Sequence, residues 1–177
     1  MRVIITGVQN VVKDSVIRLA LERLEGKADF RKLSFSDFAD EVSGSAEELE
    51  VLRDTQKKIR ENLQLKMLSP GGGKNIIVNG YCTVKTSIGF YPVITRETMK
   101  VFDPDVIVHL EVSAMSPSAK ISNKKKFTEH SAFEKSCSML LAADAGCGIR
   151  LIKSELESSR KASDELYEML KGTMVSQ

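Results

Sequence analysis

Three short runs of branched apolar residues, Val3-Ile4-Ile5, Ile76-Ile77-Val78 and Val106-Ile107-Val108, limit the fold of this chain more than any other feature. Each run is continuous rather than alternating, so each reads as a strand covered on both faces. Helical patterns lie between them. Ile17, Ala20, Leu21 and Leu24 recur at helical spacing and Gly26 stops them. Strand, turn and helix in that order predict a three-layer α/β fold, with about five parallel strands and helices on both faces.

The other elements are read the same way. Asp29 to Leu33 reads as a short strand and Ser34 to Val42 as a short helix. Ser45 and Glu48 form a capping-box pattern ahead of a long helix carrying Leu49, Leu52, Ile59, Leu63 and Met67 on one face. Asn79 to Val93 looks irregular, and a helix is expected over Thr95 to Phe102. Residues 113–127 read as a loop holding Lys124-Lys125-Lys126, followed by a helix from Thr128 to Asp144. Ile149 to Ile152 is the last expected strand, and Ser154 with Glu157 is a second capping pattern for a C-terminal helix.

With 177 residues the chain suits a single domain over residues 1–177, able to bury a core without disulfides. A net charge of +2 gives no reason to expect nucleic acid or an acidic membrane as partner. The three cysteines, Cys82, Cys137 and Cys147, are odd in number and widely spaced, which argues against a disulfide framework. Cys82 has no histidine or cationic helix end beside it in sequence, so no thiol nucleophile is expected. His109 and His130 stand apart from any CxxC, so no zinc site is expected. The short apolar run at the N-terminus reads as neither a leader nor a membrane span, and a cytoplasmic location is expected.

Chemistry points first to Gly7-Val8-Gln9-Asn10-Val11-Val12-Lys13-Asp14-Ser15. A phosphate loop uses backbone N–H groups to cradle phosphate, a lysine to reach the outer phosphates and a hydroxyl to hold magnesium. Gly7 and Lys13 have the required spacing. Val12 occupies the second glycine position and Asp14 the hydroxyl position, with Ser15 next to it. If residue 12 needs positive φ, valine there costs roughly 1–3 kcal/mol. A carboxylate at Asp14 about 4 Å from a phosphate charge is repelled by roughly 4 kcal/mol at a near-surface dielectric. The plainer alternative makes Gly7 an ordinary turn and Lys13 an exposed first-turn lysine. Thr83, Lys85, Thr86 and Gly89 follow the Ile76–Val78 strand, where open α/β sheets place ligands. The Gly71-Gly72-Gly73 segment precedes a strand, so no helix N-terminus there aims at a ligand.

Together these segments resemble the archaeal-type adenylate kinases over nearly the whole chain. Val3 to Val8 looks like that family's first strand and turn, and Asp54 to Ile59 resembles its long helix. Thr83-Val84-Lys85-Thr86 with Gly89-Phe90 is close to its TVKTPxGY segment. Asp103 to Val108 followed by Glu111 is similar to its NPDIIVxxE strand, and the spacing from Glu129-His130 to Leu151-Ile152 also fits. The resemblance implies a three-layer P-loop NTPase fold with a five-stranded parallel sheet, an ATP site at the phosphate loop, an AMP site opposite, a lid, magnesium, and a homotrimer. The implied reaction is ATP plus AMP giving two ADP.

Departures gather where the family does its chemistry. Asn79 stands in place of a strand-end aspartate, Tyr81 in place of a histidine, and Leu49 near an expected arginine. The lid-like loop, 113–127, is shorter than the family's. No arginine occurs between Met99 and Ile149, and Lys135 stands where a helical arginine is expected. Cofactor-binding candidates are therefore Gly7, Asn10, Val12, Lys13, Asp14 and Ser15. Asp14 and Ser15 are candidates for metal, Lys13 and Lys135 for catalysis, and Thr83, Lys85, Thr86 and Gly89 for substrate. The leading expectation is a nucleotide-kinase fold with weak or lost phosphoryl transfer that retains at most nucleotide or phosphate binding. An active divergent kinase or NTPase, and a non-catalytic interaction subunit, are the alternatives.

Overall fold

The computed structural model describes residues 1–8, 11–26, 28–38, 48–69, 74–113, 124–155 and 159–172. Five parallel strands form the main sheet: β1 (Arg2–Thr6), β2 (Arg31–Ser34), β3 (Ile76–Asn79), and two strands later in the chain, Val106–Ser113 and Gly148–Glu155. Between β3 and these two lies a separate antiparallel pair, β4 (Thr83–Thr86) and β5 (Gly89–Pro92), so the later strands are β6 and β7. The main sheet has the order β2-β3-β1-β6-β7, with β1 in the middle. Its register pairs Ile4 with Val78 on one side and with Ile107 on the other.

Helices cover both faces, as the continuous apolar runs require. Alternation along β1 sends Val3 and Ile5 to one face, where α1 (Val11–Leu24) and α5 (Arg160–Gly172) bury Val16, Ile17, Leu166 and Leu170. Ile4 faces the other way, toward Ile59 and Leu63 of α2 (Glu48–Leu68), Met99 and Phe102 of α3 (Arg96–Phe102), and Ala142 of α4 (Lys124–Ala145). Thr95 caps α3 by accepting from the Thr98 N–H at 3.2 Å.

Several expectations change. The stretch from Asn79 to Val93 is not irregular: β4 and β5 form a hairpin whose register, Thr86 opposite Gly89, leaves Ser87 and Ile88 as the turn. Of the helix expected from Ser34, the described residues contain only a 3-10 turn over Phe35–Asp37. Ser45 and Glu157 lie outside the described residues. Ser154 belongs to β7, because that strand follows β6 in register as far as Ser113 opposite Glu155. Lys124, Lys125 and Lys126 are the first turn of α4 rather than loop residues, while 114–123, the rest of the lid-like segment, fall outside the described residues.

Candidate functional site

In an open parallel sheet, ligands sit beyond the carboxyl ends of the strands, where connections leave in opposite directions. Here that point is the end of β1, between β3 and β6. Thr6 ends the strand and Gly7 follows with φ 132. A Cβ at Gly7 would meet the Leu110 carbonyl oxygen at 2.5 Å, so only glycine lets the loop turn this close to β6. Asn10 lies outside the described residues.

Val12 is not strained. It lies inside α1 and packs against the apolar core between α1 and α5. The only described non-glycine residue at positive φ is Asp103. The expected conformational cost at residue 12 is therefore absent, because the helix already includes it.

Lys13 is not an exposed first-turn lysine. It is buried, 3% exposed, and its Nζ donates to the Gly7 carbonyl at 3.1 Å and the Gly80 carbonyl at 2.5 Å. The ammonium thus ties the end of β1 to the residue after β3. Burial pushes its pKa down to about 8, against the pull of Glu134 and then Asp14.

Asp14 and Asn79, two separate departures in the sequence, touch. The Asn79 Nδ2 donates to Asp14 Oδ1 at 2.8 Å, and Lys32 Nζ donates to the same oxygen at 3.2 Å. The carboxylate expected on β3 is thus replaced by one on α1, held by an amide on β3. Lys32 offsets its charge, which weakens the repulsion expected toward phosphate. Asn79 Oδ1 is buried and has no hydrogen-bond partner among the described residues. Ser15 lines a cleft of ≈ 320 Å³ beside Asp14, Arg18 and Lys32, on the flank of α1 toward β2. No three His, Cys, Asp or Glu side chains cluster among the described residues.

A second set of polar groups lies beside Lys13. Glu134, fully buried on α4, accepts from the Cys82 N–H, from the Thr83 N–H at 2.9 Å and from the Thr83 hydroxyl at 2.6 Å. One carboxylate therefore pins the start of the β4–β5 hairpin to α4. Ser138, one turn on, makes 2.8 Å contacts with the Thr6 hydroxyl and the Glu134 carbonyl, and 3.2 Å with His109 Nδ1. His109 is fully buried on β6 and its Nε2 has no partner among the described residues.

Burial lowers the His109 pKa to about 4, with Glu111 opposing and Lys135 and Lys13 assisting. The sign of its effect on stability follows. Below the ordinary value of 6.5 the unfolded chain takes up a proton that the folded chain resists, so stability falls as pH drops toward 4. The loss reaches about 3 kcal/mol. Urea unfolding of the wild type and His109→Asn at pH 7 and pH 4.5 checks this. The variant should lose distinctly less stability between the two.

The substrate candidates separate. Thr83 is committed to Glu134, and Thr86 closes the hairpin turn by donating to the Gly89 carbonyl at 2.9 Å. Lys85 is exposed, its ammonium 5.6 Å from the Phe90 ring centroid, so it is the member of that set able to reach an anion. Lys135 donates to Glu111 at 3.2 Å. Lys13, Asp14, Asn79 and Gly7 come together, whereas Ser15 and Lys85 lie to either side. Glu134 and Ser138 were not among the sequence candidates, and nothing local marks a mid-helix glutamate as buried. His109 did carry a signal, as a polar residue directly after the Val106-Ile107-Val108 run of the clearest strand.

A family model described as an AAA domain matches residues 12–128. The chain is 27% identical to a protein named adenylate kinase from Methanoculleus marisnigri, covering 96% of this chain and 98% of that relative. An adenylate kinase of Methanococcus vannielii is 24% identical over 96% of this chain and 97% of its own length. One from Pyrococcus furiosus is 25% identical over 95% and 94%. No helix among the described residues is long and apolar enough to cross a membrane.

Proposed function

The chain belongs to the AAA-domain family, as an adenylate-kinase-like P-loop protein, and from that premise we propose that it binds a nucleoside triphosphate at the end of β1 and transfers phosphate weakly if at all. The observation that carries this reading is Lys13, buried at the turn after β1 and donating to Gly7 and Gly80. A cation held between two carbonyls at the strand ends can exchange them for phosphate oxygens, while Gly7 keeps the backbone close.

Weak transfer follows from what surrounds the lysine. Phosphoryl transfer depends on positioned charge around the transferring group. Lys135 spends its charge on Glu111, and as a point charge it does not reproduce a bidentate arginine. Magnesium fits the oxygen donors present, namely the Asp14 carboxylate and the unpartnered Asn79 Oδ1, with the Ser15 hydroxyl nearby. When bound it would offset phosphate charge. This exchange of carboxylate and amide between α1 and β3 favours a second reading, an active divergent kinase, because one carboxylate is kept at the site.

Thermal unfolding with ATP and magnesium tests binding. At about 100 times Kd, ligand should add about 2.7 kcal/mol of apparent stability to the wild type. In Lys13→Met that gain should vanish while the unliganded variant still unfolds cooperatively. An ADP assay with ATP, AMP and magnesium separates the two readings. Turnover of about 1–100 per second would favour the active kinase and sink the weak-transfer reading.

A further inference from the structure

Two cysteines that the sequence leaves far apart meet at the side of this site. Cys82, in the connection from β3 to β4, is fully buried, and Cys137, on α4, is half-buried. The Cys82 Sγ lies 3.3 Å from the hydroxyl of Ser138, the residue after Cys137. Glu134 and Ser138, which contact the Cys82 N–H and Sγ, lie three residues before and one residue after Cys137 on α4, so the Cys137 thiol stands beside that of Cys82. Both side chains belong to the same apolar cluster, so the contact is held by packing on each side. Cys147 also borders that cluster but makes no hydrogen bond to either thiol among the described contacts.

We propose that Cys82 and Cys137 are a dithiol–disulfide couple, oxidised by hydrogen peroxide, that locks the β3–β4 connection to α4 beside Lys13. The two thiols are chemically unequal, which sets the order of events. Burial raises the pKa of Cys82, whereas Cys137 is only half-buried and the neighbouring Cys82 thiol lowers its pKa. Cys137, which solvent reaches, therefore reacts first. Its thiolate attacks a peroxide oxygen and the O–O bond breaks, leaving Cys137 as the sulfenic acid. The departing hydroxide takes up a proton and leaves as water. Cys82 then gives up its thiol proton and attacks the sulfenic sulfur. The S–S bond forms, a second water leaves, and the peroxide has accepted two electrons.

The consequence lies in what Cys82 adjoins. Gly80, two residues before it, accepts from Lys13, and Thr83, one residue after it, is bonded to Glu134. Drawing the two sulfurs to bonding distance fixes this segment against α4. Lys13 must release the Gly80 carbonyl to reach a phosphate, so the oxidised chain should bind nucleotide less well. This effect on affinity rests on the nucleotide-binding reading above, whereas the couple itself does not.

Peptide mapping under non-reducing conditions, on the full chain treated with hydrogen peroxide, tests the couple. The expected product is a linked Cys82–Cys137 peptide that a dithiol reductant reverses. Cys147→Ser should leave this product unchanged and Cys137→Ser should abolish it. In Cys82→Ala, a sulfenic acid should persist at Cys137 and be trapped by dimedone. Linkage of Cys137 to Cys147, or a sulfinic acid at Cys137 beside a reduced Cys82 in the wild type, would overturn the couple. Calorimetry with ATP then compares reduced and oxidised protein, and affinity should fall about fivefold or more on oxidation. Equal affinity in both forms would overturn the regulatory effect. A disulfide that forms in a chain binding no ATP in either state would uphold the couple and defeat the nucleotide reading instead.

Discussion

Glu134→Gln is expected to lower the unfolding free energy by about 3 kcal/mol, within the range for breaking one side of a buried charged pair. The carboxylate is fully buried and accepts from two backbone N–H groups and the Thr83 hydroxyl. Glutamine is nearly isosteric, so packing is kept, but its amide nitrogen must face a donor. That leaves the Cys82 or the Thr83 N–H unpaired in the interior. Glu134 is also the carboxylate that most supports the charge of Lys13. Removing both charges together should therefore cost less than the sum of the single losses. A double-mutant cycle with Lys13→Met, read by urea unfolding at pH 7, measures the coupling. Strict additivity would mean that Glu134 acts on the hairpin alone.

Gly7→Ala is expected to cost about 3 kcal/mol, and for two separable reasons. Its φ of 132 is a glycine conformation, which strains any other residue by roughly 1–3 kcal/mol. The added methyl would also stand 2.5 Å from the Leu110 carbonyl oxygen, a backbone atom of β6 that cannot rotate away. Gly89 separates the two contributions. It has nearly the same φ, 131, but a Cβ there meets nothing within 4 Å. Gly89→Ala should thus show the conformational cost alone, and Gly7→Ala the conformational cost plus the displacement of β6. Guanidinium unfolding midpoints at unchanged m-value give both numbers. Equal losses in the two variants would show that β6 yields freely to the loop.

The centre of the main sheet was legible because β1, β3 and β6 each hold a continuous apolar run, and Val3-Ile4-Ile5 can hardly be anything else. The β4–β5 hairpin was not. Thr83 and Thr86 are its buried positions, and hydroxyls turned inward read as a polar loop until Glu134 and the Gly89 carbonyl are seen to satisfy them. Gly7 and Lys13 were legible by spacing, but the inward path of the lysine was not, since Gly80 lies 67 residues away. Asp14 and Asn79 were each noticed as misfits. Only the parallel pairing of β1 with β3 makes them partners, turning two losses into one exchange. The Cys82–Cys137 contact escaped for the same reason, since cysteine spacing says nothing about which helix lies over which strand end.

The position of β1 has a bearing on how the chain is made. Its first strand is the central one, and it pairs only with β3 and β6. A ribosome therefore releases Val3, Ile4 and Ile5 long before residues 76–79 and 106–113 exist to cover them. Until then the most apolar segment of the site's scaffold has no sheet to join, a condition that favours slow closure and association with other chains. Folding of this sheet cannot proceed in chain order from β1. It has to wait for β6, and the turn that holds Lys13 is shaped only when β6 arrives.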